Sequence, residues 1–205
     1  MPQFSLQINM DPSWVSQVVQ AGQQIVITKQ VAGNSGTSLA WVSFSPYQSN
    51  TVSWQDNYAV YTSQTLVQSG ATISQLASMA AVPQTAYGFS DNVFSVATPM
   101  STLGASQYEI RNQSGLPLTF GLAQAATLNG AQISSTPIFA ATVLSGQWLD
   151  MTPFDTVTVF LQSNVSNAMC LGTVTGPSCT VTFGGGAAAQ TINFVPNLGG
   201  FQLSQ

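Results

Sequence analysis

The sequence predicts an all-β protein of the β-sandwich type with one short helix near its N-terminus. Many short segments are rich in β-branched and aromatic residues, which favour strands. Clusters of Gly, Pro, Asn and Ser separate these segments and are typical of turns. Short strands with regular turn signals indicate a sandwich or a barrel.

The predicted elements follow from this pattern. A helix begins after Asp11, a good N-cap residue, with Pro12 in its first turn, and ends at Gly22. A second, weaker helix is predicted over 73–81, before Pro83. The predicted strands cover 24–31, 39–44, 51–62, 87–97, 108–112, 118–122, 138–144, 156–162, 179–183 and 191–195.

An internal repeat organises the chain. Residues 38–57 align without a gap with residues 145–164, and identical residues include Trp41 with Trp148 and Pro46 with Pro153. We therefore predict a duplication into two similar halves, 1–103 and 104–205, whose aligned segments superimpose about a pseudo-twofold axis. Each half has about the size of a β-sandwich.

Composition excludes several classes of function. The 205 residues include two basic and six acidic side chains and no histidine. Without histidine, a Ser-His-Asp triad and an imidazole metal site are excluded. Two cations disfavour binding to nucleic acid or to an anionic membrane. These observations predict a protein without enzymatic activity.

Targeting signals are absent from the printed sequence. It shows neither an apolar run of spanning length nor a basic, apolar leader. A cytoplasmic or non-classically secreted protein is the resulting expectation, and homodimer formation stays open.

Two cysteines, Cys170 and Cys179, flank a Gly176-Pro177 turn. A disulfide between them would close a short loop and would stabilise the fold. The alternative is a pair of small buried thiols. The spacing alone does not distinguish the two.

The candidate ligand-binding residues come mainly from the repeat. Strand alternation places Trp41 and Ser43 opposite the apolar Val42, and places Trp148 on one face with Asp150. An exposed Trp beside a hydroxyl or carboxylate suits sugars and flat aromatic ligands. The alternative is that both tryptophans pack in the core. The candidates are Trp41, Ser43, Tyr47, Asn57, Tyr61, Trp148 and Asp150.

The stretch 41–61 resembles abundant small β-proteins of fungal fruiting bodies and sclerotia. That group includes lectins, development-specific proteins and the chromoproteins of oyster mushrooms. The resemblance implies a binding or storage protein of low charge, and it implies no particular binding residue here.

We therefore expect a protein that binds a glycan or a small flat aromatic molecule. A non-covalent aromatic chromophore is the candidate cofactor. A lectin would have two shallow sites, and a pigment carrier would have one deep pocket. The alternatives are a membrane-lytic toxin that inserts the helix containing Trp14, as actinoporin-like folds do, and a storage protein without a ligand.

Overall fold

The computed structural model describes residues 2–95, 97–174 and 176–204. One α-helix, α1 (Pro12–Gln20), and a 3-10 turn (Pro196–Leu198) accompany the strands. The strands are β1 (Gln3–Asn9), β2 (Gln23–Gly33), β3 (Thr37–Ser38), β4 (Ala40–Phe44), β5 (Ser49–Gln55), β6 (Tyr58–Ser63), β7 (Ala77–Ala81), β8 (Thr85–Ser90), β9 (Val93–Phe94), β10 (Thr98–Pro99), β11 (Tyr108–Asn112), β12 (Leu118–Leu128), β13 (Ala131–Val143), β14 (Trp148–Ser163), β15 (Ser178–Thr182), β16 (Ala189–Val195) and β17 (Gly200–Leu203).

The strands form two sheets, so the predicted all-β, sandwich-like fold is confirmed. The first sheet has the order β17-β16-β1-β5-β12-β13-β3, with β6 pairing β12 and β7 pairing β6. The second has the order β10-β8-β11-β14-β2-β4, with β15 on β14 and β9 on β8. Inward side chains of both sheets meet in one hydrophobic core.

Strand alternation explains how this core is filled. In β1, Phe4, Leu6 and Ile8 are buried while the residues between them are partly accessible. In β2, Val26 is also buried, because residues of the 165–171 segment cover the outer face of the second sheet there. A strand buried on both faces loses the alternating pattern.

The predicted N-terminal helix is confirmed. The Asp11 carboxylate accepts hydrogen bonds from the Ser13 backbone N–H at 2.9 Å and from the Ser13 hydroxyl at 2.6 Å. These bonds hold the pKa of Asp11 below its ordinary value. The Trp14 ring packs against Phe194 with 5.8 Å between ring centroids. The helix is therefore anchored on β16 by its tryptophan.

The second predicted helix, over 73–81, is wrong. Its C-terminal part is the edge strand β7, which pairs with β6 in an antiparallel register. Alanine, the commonest residue of β7, favours helices and is depleted in strands, so pairing with the available strand β6 overrides local helix propensity here.

The two segments of the sequence repeat follow different paths. Residues 45–48 separate β4 in the second sheet from β5 in the first sheet. The matching residues of the other segment lie inside β14, which continues in the second sheet and has a bulge between Pro153 and Val157. The predicted superposition is therefore not observed, and the internal duplication is not confirmed.

Strands from the two predicted halves are neighbours in both sheets. In the first sheet β5 pairs with β12, and in the second β2 pairs with β14. Each sheet therefore contains strands from 1–103 and from 104–205.

Candidate functional site

Trp41 does not lie on the exposed face that strand alternation predicts. It is 0% exposed and belongs to the core between the sheets. Ile27 pairs with Val42 and Thr28 with Ala40, so Trp41 is the extra residue of a β-bulge. A bulge breaks the alternation of two residues. Both Trp41 and Val42 therefore point into the core.

Ser43 and Tyr61 are also unavailable to a ligand at the surface. The Ser43 backbone N–H donates to Asn167 Oδ1 at 2.8 Å, and its hydroxyl donates to the same atom at 3.0 Å. Tyr61 is fully buried, and its hydroxyl donates to the Phe139 carbonyl at 2.9 Å. Ser43 thereby fixes the segment that covers the outer face of the second sheet, and Tyr61 packs under residues such as Ile73 and Ala168 on the outer face of the first.

Tyr47 and Asn57 lie apart from each other. Tyr47 is 67% exposed in the turn between β4 and β5. Asn57 is exposed and lies in the turn between β5 and β6, at the wall of a large cleft. The strand predicted over 51–62 is interrupted there, which is why Asn57 reaches the cleft.

Trp148 and Asp150 do share one face, as predicted. Both lie on the outer face of the second sheet, where Trp148 is 53% exposed. Asp150 lies opposite Glu109 on β11, and Trp148 lies opposite Arg111. Burial raises the pKa of the Asp150 carboxyl, and the neighbouring Glu109 carboxylate raises it further.

The cysteines are two separate buried thiols. Both are free, Cys170 beside Tyr61 in an outer cluster and Cys179 in the main core. Of the two alternatives that the sequence left open, the pair of buried thiols describes the structure, and the disulfide is not formed. Burial raises the pKa of both thiols.

A cleft of about 710 Å³ lies where β6 and β7 of the first sheet face β11 and β14 of the second. Its wall is largely apolar, with the rings of Tyr58 and Tyr108 and the side chain of Met79. Asp56 and Asp155 are its acidic groups. The β14 bulge between Pro153 and Val157 contains Asp155 and places it at the cleft.

Lys29 lies in the core behind this cleft. It is 0% exposed, and its Nζ donates to Gln124 Oε1 at 2.9 Å. The Nζ lies 5.0 Å from the Tyr58 ring centroid, 5.6 Å from Trp54 and 5.8 Å from Trp41. Three aromatic rings therefore surround the amine, in the arrangement that binds cations. We call this group of four residues the lysine cage.

Burial and the nearby carboxylates act in opposite directions on the pKa of Lys29. Burial lowers the pKa of Lys29 to about 8, although Asp56 and Asp155 favour the charged form. Burial likewise raises the pKa of Asp155, and Asp56 raises it further. With this pKa the amine is still mainly charged at pH 7, but it loses its proton more easily than an exposed lysine does.

Two features of the lysine cage supply unused hydrogen-bonding capacity. Within the described residues, the Trp54 Nε1 is buried and has no hydrogen-bond partner. The Lys29 Nζ has one partner, Gln124, although an ammonium group carries three donors. An acceptor atom of a ligand would compensate these groups.

Sequence reasoning missed Lys29, although a signal was present. Ile25, Ile27, Lys29 and Val31 alternate along β2, and three of them are apolar core residues. A lysine at an inward position of a core strand is rare unless it has a specific partner. The inward position of Lys29 in that alternation could have identified it as a candidate functional residue.

No helix among the described residues is long and apolar enough to cross a membrane. No group of three or more Asp, Glu, Cys or His side chains is placed to hold a metal ion in this part of the chain.

Comparison of the chain with protein-family models, curated proteins and solved structures gives no match. The arrangement offers an apolar cleft, two acidic groups at its wall, and a buried amine of lowered pKa behind it.

Proposed function

We propose that the protein is a non-enzymatic carrier of one small conjugated or aromatic molecule, bound in the cleft between β6, β7, β11 and β14. The observation that carries this proposal is the lysine cage directly behind the cleft wall. One cleft of about 710 Å³ favours the pigment carrier, with its single site, over the lectin with two shallow sites.

The cleft has the size and chemistry for such a ligand. Ligand pockets are generally about 300–1,000 Å³ and mainly apolar with a few polar groups, and this cleft has about 710 Å³. Tyr58 and Tyr108 offer flat faces on which a conjugated ligand can stack. Ala80 and Ala81 of the edge strand β7 leave room for it.

The charges indicate what the ligand carries. Asp56 and Asp155 repel an anionic ligand, so we expect a neutral one. The donors of the lysine cage call for an acceptor, and a carbonyl oxygen is the acceptor that a conjugated molecule most simply provides. We therefore propose a carbonyl-bearing ligand whose polar end is directed to Lys29, with Tyr58 turning to admit it.

The lysine allows two modes of attachment. In one, the amine donates a hydrogen bond to the carbonyl. In the other, the uncharged amine attacks an aldehyde carbon, a C=N bond forms and water leaves. Desolvated lysines of lowered pKa are suited to this second reaction, and Asp56 and Asp155 would balance the charge of the product.

The test is to purify the protein from the organism that makes it and to record absorption and intact mass. We expect an absorption band above 300 nm and one small molecule per chain. Borohydride treatment followed by denaturation distinguishes the two modes. A mass increase that stays on the peptide containing Lys29 shows a covalent bond, and release of the molecule shows a hydrogen bond.

Matched variants complete the test. Lys29→Met should lose the ligand. Gln30→Met, which introduces methionine at the next position on the exposed face of β2, should retain it. Purified protein that releases no small molecule, or a Lys29→Met variant that keeps the band unchanged, would refute the proposal.

A further inference from the structure

We propose that the outer face of the second sheet holds a second site, centred on Trp148, that binds a neutral pyranose sugar. A surface pocket of about 500 Å³ lies there, lined by Trp148, Arg111, Glu109, Gln113 and Gln147 among others. It is separate from the cleft, with which it shares no lining residue.

The backbone beneath Trp148 is fixed by Asn112. The Asn112 backbone N–H donates to the Gln147 carbonyl at 2.9 Å, and the Gly146 N–H donates to the Asn112 carbonyl at 2.8 Å. The Asn112 side chain donates to the carbonyls of Val143 at 2.8 Å and Leu116 at 2.7 Å. The turn that leads into Trp148, the first residue of β14, is therefore fixed, which lowers the entropy cost of binding.

The exposure of Trp148 indicates a flat ligand. Trp148 lies on a regularly paired strand, with Arg111 opposite in the register. Its ring faces solvent and does not pack in the core. The apolar C–H face of a pyranose ring stacks on an exposed aromatic face, and its hydroxyl groups reach the polar groups around the edge.

The edge of the pocket supplies those polar groups. Arg111 Nε donates to Glu109 Oε1 at 2.5 Å, which orders both side chains beside the indole. Gln113 and Gln147 line the pocket with exposed side-chain amides. Amides and an ordered ion pair both accept and donate, as sugar hydroxyls require.

Asp150 adds an independent observation. Its Oδ1 is buried beside Glu109 and has no hydrogen-bond partner within the described residues. A buried acceptor without a donor is costly. Asp150 does not itself line the pocket, so it acts on a bound sugar through its negative charge beside Glu109.

Charge selects the class of sugar. The group contains two acids, Glu109 and Asp150, and one cation, Arg111, which is already paired. A sialylated, sulfated or phosphorylated glycan would meet net negative charge and no free cation among these residues. We therefore expect neutral sugars only.

An array of neutral and sialylated glycans, followed by calorimetry with the neutral glycan that binds best, tests the proposal. We expect binding to neutral glycans, and Trp148→Ala should weaken it at least about tenfold. Tyr47→Ala removes a more exposed aromatic ring elsewhere and should leave the affinity unchanged.

Further outcomes separate this site from the cleft. Lys29→Met should bind the glycan normally, so failure of the carrier proposal does not affect this one. No bound glycan on the array, binding restricted to sialylated glycans, or an equal loss in Trp148→Ala and Tyr47→Ala would overturn the proposal. Circular dichroism of Trp148→Ala should match the wild type, so that a loss of binding reports on the site.

Discussion

Trp41 and Trp148 occupy matched positions in two similar sequence segments, but the structure gives them opposite environments. Trp41 is 0% exposed and its indole N–H donates to the Gln124 carbonyl at 2.9 Å. Trp148 is 53% exposed in a surface pocket. One ring forms a wall of the lysine cage, and the other offers its face to solvent.

Strand register accounts for the difference. At Trp41 the pairing with β2 contains an extra residue, so the indole turns inward to meet Trp54 at 5.3 Å in a T-shaped contact. At Trp148 the pairing with β11 is regular. A one-residue change of register moves a side chain to the other face, so matched sequence does not guarantee matched position.

Each tryptophan also lies near one unsatisfied buried polar atom. Among the described residues, Trp54 Nε1 adjoins Trp41 and Asp150 Oδ1 adjoins Trp148. Such atoms often mark places where a ligand or water completes the hydrogen bonds. The two regions are therefore candidates for two different ligands, one held inside and one at the surface.

The largest expected effect separates the two tryptophans by stability. Trp41→Ala should lower the free energy of unfolding by about 3–5 kcal/mol, because it empties a packed core site and leaves Lys29 without one of its rings. Trp148→Ala should change it by less than about 0.5 kcal/mol, as exposed substitutions do. Denaturant titrations of both variants measure this. Equal losses in both would show that the register assigned to one of them is incorrect.

The next effect concerns pH and the Lys29 amine beside Trp41. The pKa of Lys29 is about 8 in the folded protein and 10.5 when exposed. Below pH 8 the amine is charged in both states, so the whole cost of burying that charge lowers the free energy of unfolding. Between pH 8 and 10.5 the unfolded chain binds more protons, and stability gains from Lys29 as pH rises. Lys29→Met lacks this gain.

The stability of Lys29→Met relative to wild type should therefore fall by roughly 2–3 kcal/mol between pH 7 and pH 10. Comparing the two proteins at each pH cancels the titration of the tyrosines and cysteines they share. A difference that stays constant over this range would show that the amine is hydrated in the folded protein.

The smallest expected effects concern Ser43 and Asp150, each of which lies two positions after one of the two tryptophans. Ser43→Ala should cost about 1 kcal/mol, because Asn167 Oδ1 loses its hydroxyl donor. Asp150→Asn should stabilise slightly at pH 7, because burial and Glu109 raise the pKa of Asp150 and so disfavour its charge. For a raised carboxyl pKa the stabilising contribution belongs to the protonated form and is lost as pH rises through it.

Thermal melts at pH 7 and near pH 4 check this pair. The advantage of Asp150→Asn should shrink at the lower pH, because the raised pKa means that more of the wild-type carboxyl is protonated there. The effect of Ser43→Ala should be the same at both values, since no group at that contact titrates between them.

Much of the fold was predictable because local patterns determine it. Each predicted strand segment contains strand residues, and Asp11 and Pro12 start the helix where the sequence indicates. The patterns could not predict features that depend on tertiary contacts. These are the bulge at Trp41, the pairing that makes β7 a strand, and the segments that cover Tyr61.

The candidate site was less predictable for the same reason. Of the predicted residues, Trp148 and Asp150 share a face and Asn57 reaches the cleft, while Trp41, Ser43 and Tyr61 are held by structural contacts. Alternation within a strand cannot show which loop covers its outer face. The inward lysine was visible in the sequence, but only the fold shows the rings around it.

The scarcity of basic side chains limits where trypsin-like proteases can cut the protein. Trypsin-like proteases cut after Lys and Arg, and the printed chain has one of each, Lys29 and Arg111. Both lie inside paired strands, β2 and β11. A protease needs a segment that has left the fold, so neither bond is offered while the sheets are intact. Even the unfolded chain yields only three large fragments, and such a protein would persist where digestive enzymes of this type are abundant.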